Sequence, residues 1–277
     1  MNKYIDLHTH STCSDGTLTP SEVVKHAKDK GLSAIALTDH DTINGLQEAI
    51  ETGKRIGVEV ITGIEFSVAS DTEMHLLGLN FNIDCPAIIN ILDEMIIQRD
   101  LRNHKVIALL EVLGIYITID DILAEATSKI TGRSQIARAM MRKGYVSSKT
   151  EAFDKYLSFG KPAFVERSTL SAEDAIEIIH KSGGKAFLAH LNQIGKSDKE
   201  LSELLKYLKK SGLDGIEGYY TEYTDDMSIR YRKMAEETGL LLSGGSDFHG
   251  TNKDGYELGE GKGNLRIPYE LLEKIRK

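Results

Sequence analysis

The stretch YIDLHTHSTCSDG, residues 4–16, decides how the chain is read. Tyr4, Ile5 and Leu7 form a short apolar run, the pattern of a buried strand. His8 and His10 then stand two residues apart, and Asp15 follows in the next loop. Side chains two apart on a strand point the same way. Two imidazoles can therefore grip one ion, while Asp15 reaches a neighbouring one.

Outward from this point, short apolar runs alternate with helical patterns. The runs predict strands at Tyr4 to Leu7, Ala34 to Leu37, Glu59 to Thr62, Met74 to Leu79, Ala186 to Ala189, Gly215 to Tyr219 and Leu240 to Ser243. Thr19, Pro20 and Glu22 mark a helix start with a capping box. Leu201, Leu204, Leu205 and Leu208 make one apolar helix face. Such alternation implies α/β architecture with a parallel sheet, and about seven strands suggest a barrel short of the eightfold form. The rhythm breaks in the middle. RDLRNHKVIALLEVLG, IDDILAEAT, SQIARAMMRKG and TEAFDKYLS read as helices with no strand between them. The expected organisation is a first barrel part at 1–85, a helical, substrate-selecting insertion at 86–162 and a second barrel part at 163–277.

The 277 residues are 40% apolar and 27% charged, enough for a large core and against disorder. A net charge of −8 argues against a broad basic surface for duplex DNA. Cys13 and Cys85 are too few for a disulfide framework. No signal-peptide pattern is visible and Asp93 and Glu94 interrupt the most apolar segment, so the expectation is a cytoplasmic protein without a membrane partner. Oligomeric state is not readable from the sequence.

Of nine histidines, His26, His104 and His180 lie in helical patterns beside lysine and read as helix-surface residues. The other six fall at strand ends: His8, His10, His40, His75, His190 and His249. Asp15, Asp39, Asp41, Glu65 and Asp247 accompany them. Strand ends of a barrel share one face, so residues from both ends of the chain converge there. Buried acids and imidazoles each need a partner, and divalent ions satisfy them together. Nitrogen and oxygen donors without sulfur fit Zn, Mn or Fe.

DLHTHS, TDHD, GIEFS, AH and GSDFH, in this order, resemble the PHP (polymerase and histidinol phosphatase) family over residues 1–80 and about 165–260. The resemblance implies a distorted (β/α)7 TIM-like barrel with two to three divalent ions. It implies a first ion at His8, His10, Glu65 and Asp247, and a second at Asp15, His40 and His249. A third would take His75, His190 and a bridging Glu65. Asp15, His40, Glu65 and Asp247 are the expected reaction-centre residues, with Asp6 and Asp39 orienting imidazoles from behind. GRSQIARAM, AFDKYLSFGKPAFVE and GGSDFHG are similar to the subgroup of nucleoside 3',5'-bisphosphate phosphatases, some of which trim RNA from its 5' end. Gln135 stands where that subgroup commonly has His, and Leu191 where it often has Pro.

The expected reaction is phosphate-monoester hydrolysis on a small phosphorylated nucleotide, by in-line attack of a metal-bridging hydroxide. A histidinol-phosphate phosphatase or a 5'-3' exonuclease on short RNA is the alternative, and a non-catalytic metal-binding domain a more distant one. The ions bind any phosphate to be cleaved, so a second phosphate needs its own cation. Arg133 at a helix start and Lys161 before Pro162 are the candidates.

Overall fold

The computed structural model describes residues 3–125, 131–166 and 170–277. The chain divides into two compact units, one of Met1–Asn90 with Thr169–Lys277 and one of Ile91–Ser168.

The first unit is built on eight strands: β1 (Tyr4–Thr9), β2 (Ala34–Leu37), β3 (Glu59–Ser67), β4 (His75–Leu79), β5 (Lys185–Leu188), β6 (Gly215–Tyr220), β7 (Leu241–Gly245) and β8 (Ile267–Pro268). Their spatial order is β7-β6-β5-β4-β3-β2-β1-β8. Helices α1 (Pro20–Asp29) and α2 (Leu46–Ile56) follow β1 and β2. At the start of α1 the Thr19 side chain accepts the Glu22 N–H and Glu22 returns the bond, as the capping pattern predicts. Ile5 and Leu7 join one apolar cluster with Ala34, Ala36, Phe187 and Ile267. Asp6 and His8 alternate with them along β1, and His10 follows just past its end.

Two features differ from the sequence expectation. The sheet is not wholly parallel: β4 runs antiparallel to both β3 and β5. The reason is chain length. A parallel pair needs a crossover of a dozen or more residues. β3 continues past Gly63 to Ser67, so Val68 to Met74 leave room only for a reversal. Gly63 hid that length by looking like a strand end. A Cβ there would meet the Leu37 carbonyl oxygen at 2.6 Å, so the glycine lets β3 lie close on β2. Because β4 is reversed, its first residue, His75, arrives at the same edge as the last residues of the parallel strands. The second difference is β8, two residues antiparallel to β1, too short to show a pattern.

The sheet closes on itself. Thr9 bridges Phe248 in parallel register, and the N–H groups of His10 and Asp247 donate to the carbonyls of Phe248 and His8, each at 2.9 Å. Gly245 makes this seam possible. A Cβ there would lie 2.2 Å from the His8 Cβ and 2.5 Å from its backbone nitrogen. Gly245→Ala is therefore expected to destabilise the protein by about 1–3 kcal/mol, the usual cost of forcing extra volume into a packed core. Denaturant unfolding checks this; unchanged stability would mean that the seam gives way easily.

The second unit contains most of α3 (Pro86–Val112), then α4 (Ile119–Leu123), α5 (Arg133–Arg142) and α6 (Lys149–Ala152). A π-helical turn, Phe153–Leu157, continues α6. The last two residues of the expected IDDILAEAT helix, Ala126 and Thr127, lie outside the described residues. Val106, Leu110, Ile122, Ile136, Met140 and Leu157 share its apolar core. Among its described residues there is no strand. After it come α7 (Ala172–Lys181), α8 (Asp198–Lys210), α9 (Asp225–Thr238) and α10 (Glu270–Ile275) of the first unit. Among the described residues, no helix is long and apolar enough to cross a membrane.

Candidate metal centre

His8 and His10 are fully buried at the end of β1, their ring centroids 5.2 Å apart. Glu65, near the end of β3, is buried beside them. Its Oε2 lies 3.2 Å from the Nε2 of both His8 and His10 and 3.2 Å from the Nδ1 of His40. Its Oε1 lies 2.9 Å from the Nδ1 of His75 and from the Nε2 of His190. One carboxylate thus presents each of its oxygens to a separate group of imidazoles.

Asp247 Oδ1 faces the Nε2 of His8 at 3.4 Å and of His10 at 3.3 Å. Its Oδ2 accepts from the Tyr220 hydroxyl at 3.0 Å and pairs with the Lys253 ammonium. Asp15 enters from the loop after β1, its Oδ1 3.2 Å from His249 Nε2 and 3.8 Å from His10 Nδ1. Its Oδ2 stands 4.0 Å from His40 Nε2. Strain concentrates here too: Asp247 and His190 hold φ of 57° and 24°, values unusual for side-chain-bearing residues.

All nine residues expected as ligands therefore meet in the first unit. His8, His10, Glu65 and Asp247 bring four donor atoms within 4.8 Å of one another. Asp15, His40 and His249 do the same, with His10 added. His75, His190 and Glu65 approach pairwise at 2.9–3.2 Å, and His40 also reaches the Glu65–His75 pair. His10 and His40 each adjoin two groups, an overlap that spacing alone does not reveal.

Charge sharpens the arrangement. Burial opposes a charged His8 and His10. Even so, Glu65, Glu217 and Asp247 raise His8 well above the usual imidazole value, and Asp247 and Glu65 raise His10 to about 9. Burial opposes ionisation of Glu65, yet His40, His8 and His75 hold it well below the usual carboxylate range. His40 goes down to about 3 through burial and the neighbouring charge of His10 and His75.

The donors fit a metal. His8 Nε2, both ring nitrogens of His10, His40 Nδ1 and Glu65 Oε2 are buried without a hydrogen bond. Orphaned polar atoms of this kind are costly in a protein interior. The set is nitrogen and oxygen, which suits Zn, Mn or Fe.

Asp6 and Asp39 depart from their expected role. Asp6 takes the N–H groups of His8, Ser246 and Gly259 at 2.8–3.2 Å. Asp39 takes the N–H and hydroxyl of Ser11 and the Ser14 hydroxyl. Both tie backbone and loop, because the groups converging on them are amides and hydroxyls. Among the described residues, a buried acid that meets an imidazole from behind is Glu217, 3.0 Å from His8 Nδ1. Its only sequence signal is an acid in the middle of a buried strand, GIEGYY. Tyr220 and Lys253 gave no signal. Of the three helix histidines, His26 pairs with Glu257, His180 with Asp214, and His104 is exposed.

In the second unit, Arg133 is the first residue of α5, whose start is closed by the Gly132 N–H donating to Gln135 Oε1 at 2.9 Å. The Arg133 guanidinium lies over Phe164 at 5.5 Å and Phe153 at 6.0 Å, and donates to the Leu157 carbonyl at 3.3 Å. Lys161 is exposed.

Comparison with known proteins bears on these observations. The chain is 38% identical over 250 residues to a 5'-3' exoribonuclease of Haemophilus influenzae, covering 90% of this chain and 91% of that protein. It is 33% identical over 257 residues to a 3',5'-nucleoside bisphosphate phosphatase of Chromobacterium violaceum, covering 92% and 90%. A solved structure of an amidohydrolase from Chromobacterium violaceum, with bound sulfate and no metal, superposes with a TM-score of 0.80 at 32% identity over 98% of this chain and 96% of that one. A family model for the PHP domain matches residues 6–234, which take in seven of the nine clustered residues and stop before Asp247 and His249. The chain belongs to the PHP domain family.

Proposed function

We propose that the chain is a metal-dependent phosphoesterase that removes a phosphate from a small phosphorylated nucleotide, the 3'-phosphate of a nucleoside 3',5'-bisphosphate. The observation that carries this reading is Glu65, buried, with one oxygen toward His8, His10 and His40 and the other toward His75 and His190. Two or three ions, of Mn, Fe or Zn, would be held by His8, His10, Glu65 and Asp247, by Asp15, His40 and His249, and by His75, His190 and Glu65. When bound, they would supply Lewis acidity toward phosphoryl oxygens and lower the pKa of water. The chain's own contribution is to fix the donors. Tyr220 and Lys253 hold the outer oxygen of Asp247, and the peptide oxygen of Asp247 lies 2.8 Å from His249 Nδ1. Burial of His8, His10 and Glu65 keeps bulk water from competing. Lys253, one-third exposed, adds a positive group at the rim.

The substrate choice is supported by the relatives named above. One acts on bisphosphates and another on RNA ends, so 5'-3' cleavage of short RNA is the second reading. Both are phosphate esters, and neither needs duplex DNA. A cytoplasmic location belongs to the same reading, supported by two free cysteines.

Arg133 is our candidate for holding the second phosphate, with Lys161 as a further cation. A guanidinium already stacked on two rings loses little freedom on binding an anion. Charge-assisted contacts contribute about 1.5–3 kcal/mol, so Arg133→Ala is expected to lower kcat/KM for a 3',5'-bisphosphate by roughly ten- to a hundredfold. Cleavage of a simple monophosphate ester should barely change. Equal loss on both substrates would remove Arg133 from the reading.

A further inference from the structure

Glu217 sits in the middle of β6, fully buried, and touches two of the clustered histidines at once. Its Oε1 lies 3.0 Å from His8 Nδ1, while its Oε2 accepts the backbone N–H of His190 at 2.8 Å. His8 lies one residue before the end of β1 and His190 follows β5, so the carboxylate links three strands at the one end where the donors gather. The opposite nitrogen of His8, Nε2, is the one that faces Glu65 and Asp247. His190 Nε2 faces the other oxygen of Glu65.

The contact to His190 secures an awkward piece of backbone. His190 has φ 24° and ψ 65°, which a side-chain-bearing residue adopts at a cost. Three bonds hold it. Glu217 Oε2 takes the His190 N–H; the Tyr223 hydroxyl takes the Leu191 N–H at 2.8 Å; and that hydroxyl donates to the Glu217 carbonyl at 3.1 Å. Glu217 supplies both ends of this loop of contacts, one from its side chain and one from its peptide.

We propose that Glu217 is a positioning residue that couples two ion sites, orienting His8 for the one shared with His10 and Asp247 and His190 for the one shared with His75. The inference rests on the metal-dependent reading above and extends it to a residue outside the donor set. A carboxylate can accept from both partners. With the proton held on Nδ1 by Glu217, the Nε2 lone pair of His8 is free to ligate. The amide introduced by Glu217→Gln cannot do both jobs. If the amide oxygen meets His8, the amide NH2 confronts the His190 N–H. If the amide turns round, its NH2 donates to His8 Nδ1 and drives the ring proton onto Nε2, which then cannot bind an ion. Either orientation damages one site.

The test is titration of metal-free wild type and Glu217→Gln with Zn²⁺, with the ion count read by elemental analysis and the His8 ring read by ¹⁵N NMR in the Zn-loaded protein. The expected result is a loss of about 10- to 100-fold in affinity for at least one ion. The His8 Nδ1–H signal should be present in wild type and lost or shifted in the variant. Wild-type stoichiometry and affinity in a folded variant would overturn the proposal. So would weaker binding of the ion shared by His8, His10 and Asp247 with an unchanged Nδ1–H signal, which would assign the effect to lost charge alone. If the variant does not fold, the wild-type spectrum decides by itself: a proton on Nδ1 supports the proposal, and a metal on Nδ1 overturns it. Failure of wild type to bind any divalent ion would instead sink the underlying metal-dependent reading.

Discussion

Stripping divalent ions from the protein is expected to abolish phosphate release, and adding Mn²⁺ back to restore it. Charge stabilisation by bound ions contributes several kcal/mol to reactions of this class, which corresponds to roughly a thousandfold or more in rate. The groups that meet in the three donor groups are imidazoles and carboxylates, with no cysteine among them. The loss should be chemical and not a collapse of the barrel. Its apolar cluster of Ile5, Leu7, Ala36, Leu77, Phe187 and Ile267 needs no ion to pack. A metal-free preparation should therefore keep its far-UV circular dichroism while its melting temperature drops, because ions that bind only the folded chain stabilise it by mass action. Full activity in a preparation shown by elemental analysis to be metal-free would end the metal-dependent reading.

The second large effect is expected at Glu65. Both of its oxygens face imidazoles, so Glu65→Gln removes an anionic donor from two groups at once. Loss of a partner outside the donor set commonly costs 10- to 100-fold in affinity or activity. Loss of a carboxylate shared between two groups should exceed about 100-fold in rate and leave the protein short of at least one ion. Asp247→Asn provides the contrast. Only its Oδ1 faces imidazole nitrogens, the other oxygen being held by Tyr220 and Lys253. That variant should weaken mainly one site. Full ion occupancy in Glu65→Gln would remove the bridging role while leaving the rest of the site intact.

Much of this was legible in the sequence because it depends on period and order. Ala34–Leu37 is a four-residue apolar run and is a strand from end to end. His8 and His10 share a side because strands alternate. The Thr19 cap could be read from three residues. What escaped depends on pairing across the sheet. Nothing in His75–Leu79 says which way it runs; the direction follows from how far β3 extends, and Gly63 concealed that. Ile267–Pro268 is too short to carry any pattern. Asp6 and Asp39 looked like partners for imidazoles because acids near histidines usually are. Which acid meets an imidazole is settled by β6 lying near β1 in space, and that gave the contact to Glu217.

The seam between His8 and Gly245 has a consequence for how the protein is made. Synthesis on the ribosome delivers His8, His10 and Glu65 well before Asp247 and His249. The strand that carries His8 and leads into His10 must wait, with one side unmatched, for a segment more than two hundred residues away. Contacts of such sequence separation are slow to form, since the intervening chain must be ordered before they can be made. Full assembly of the donor cluster therefore waits until β7 and the segment after it have been made, and a nascent chain stalled before Gly245 would carry a half-built cluster open to whatever cation the cell offers.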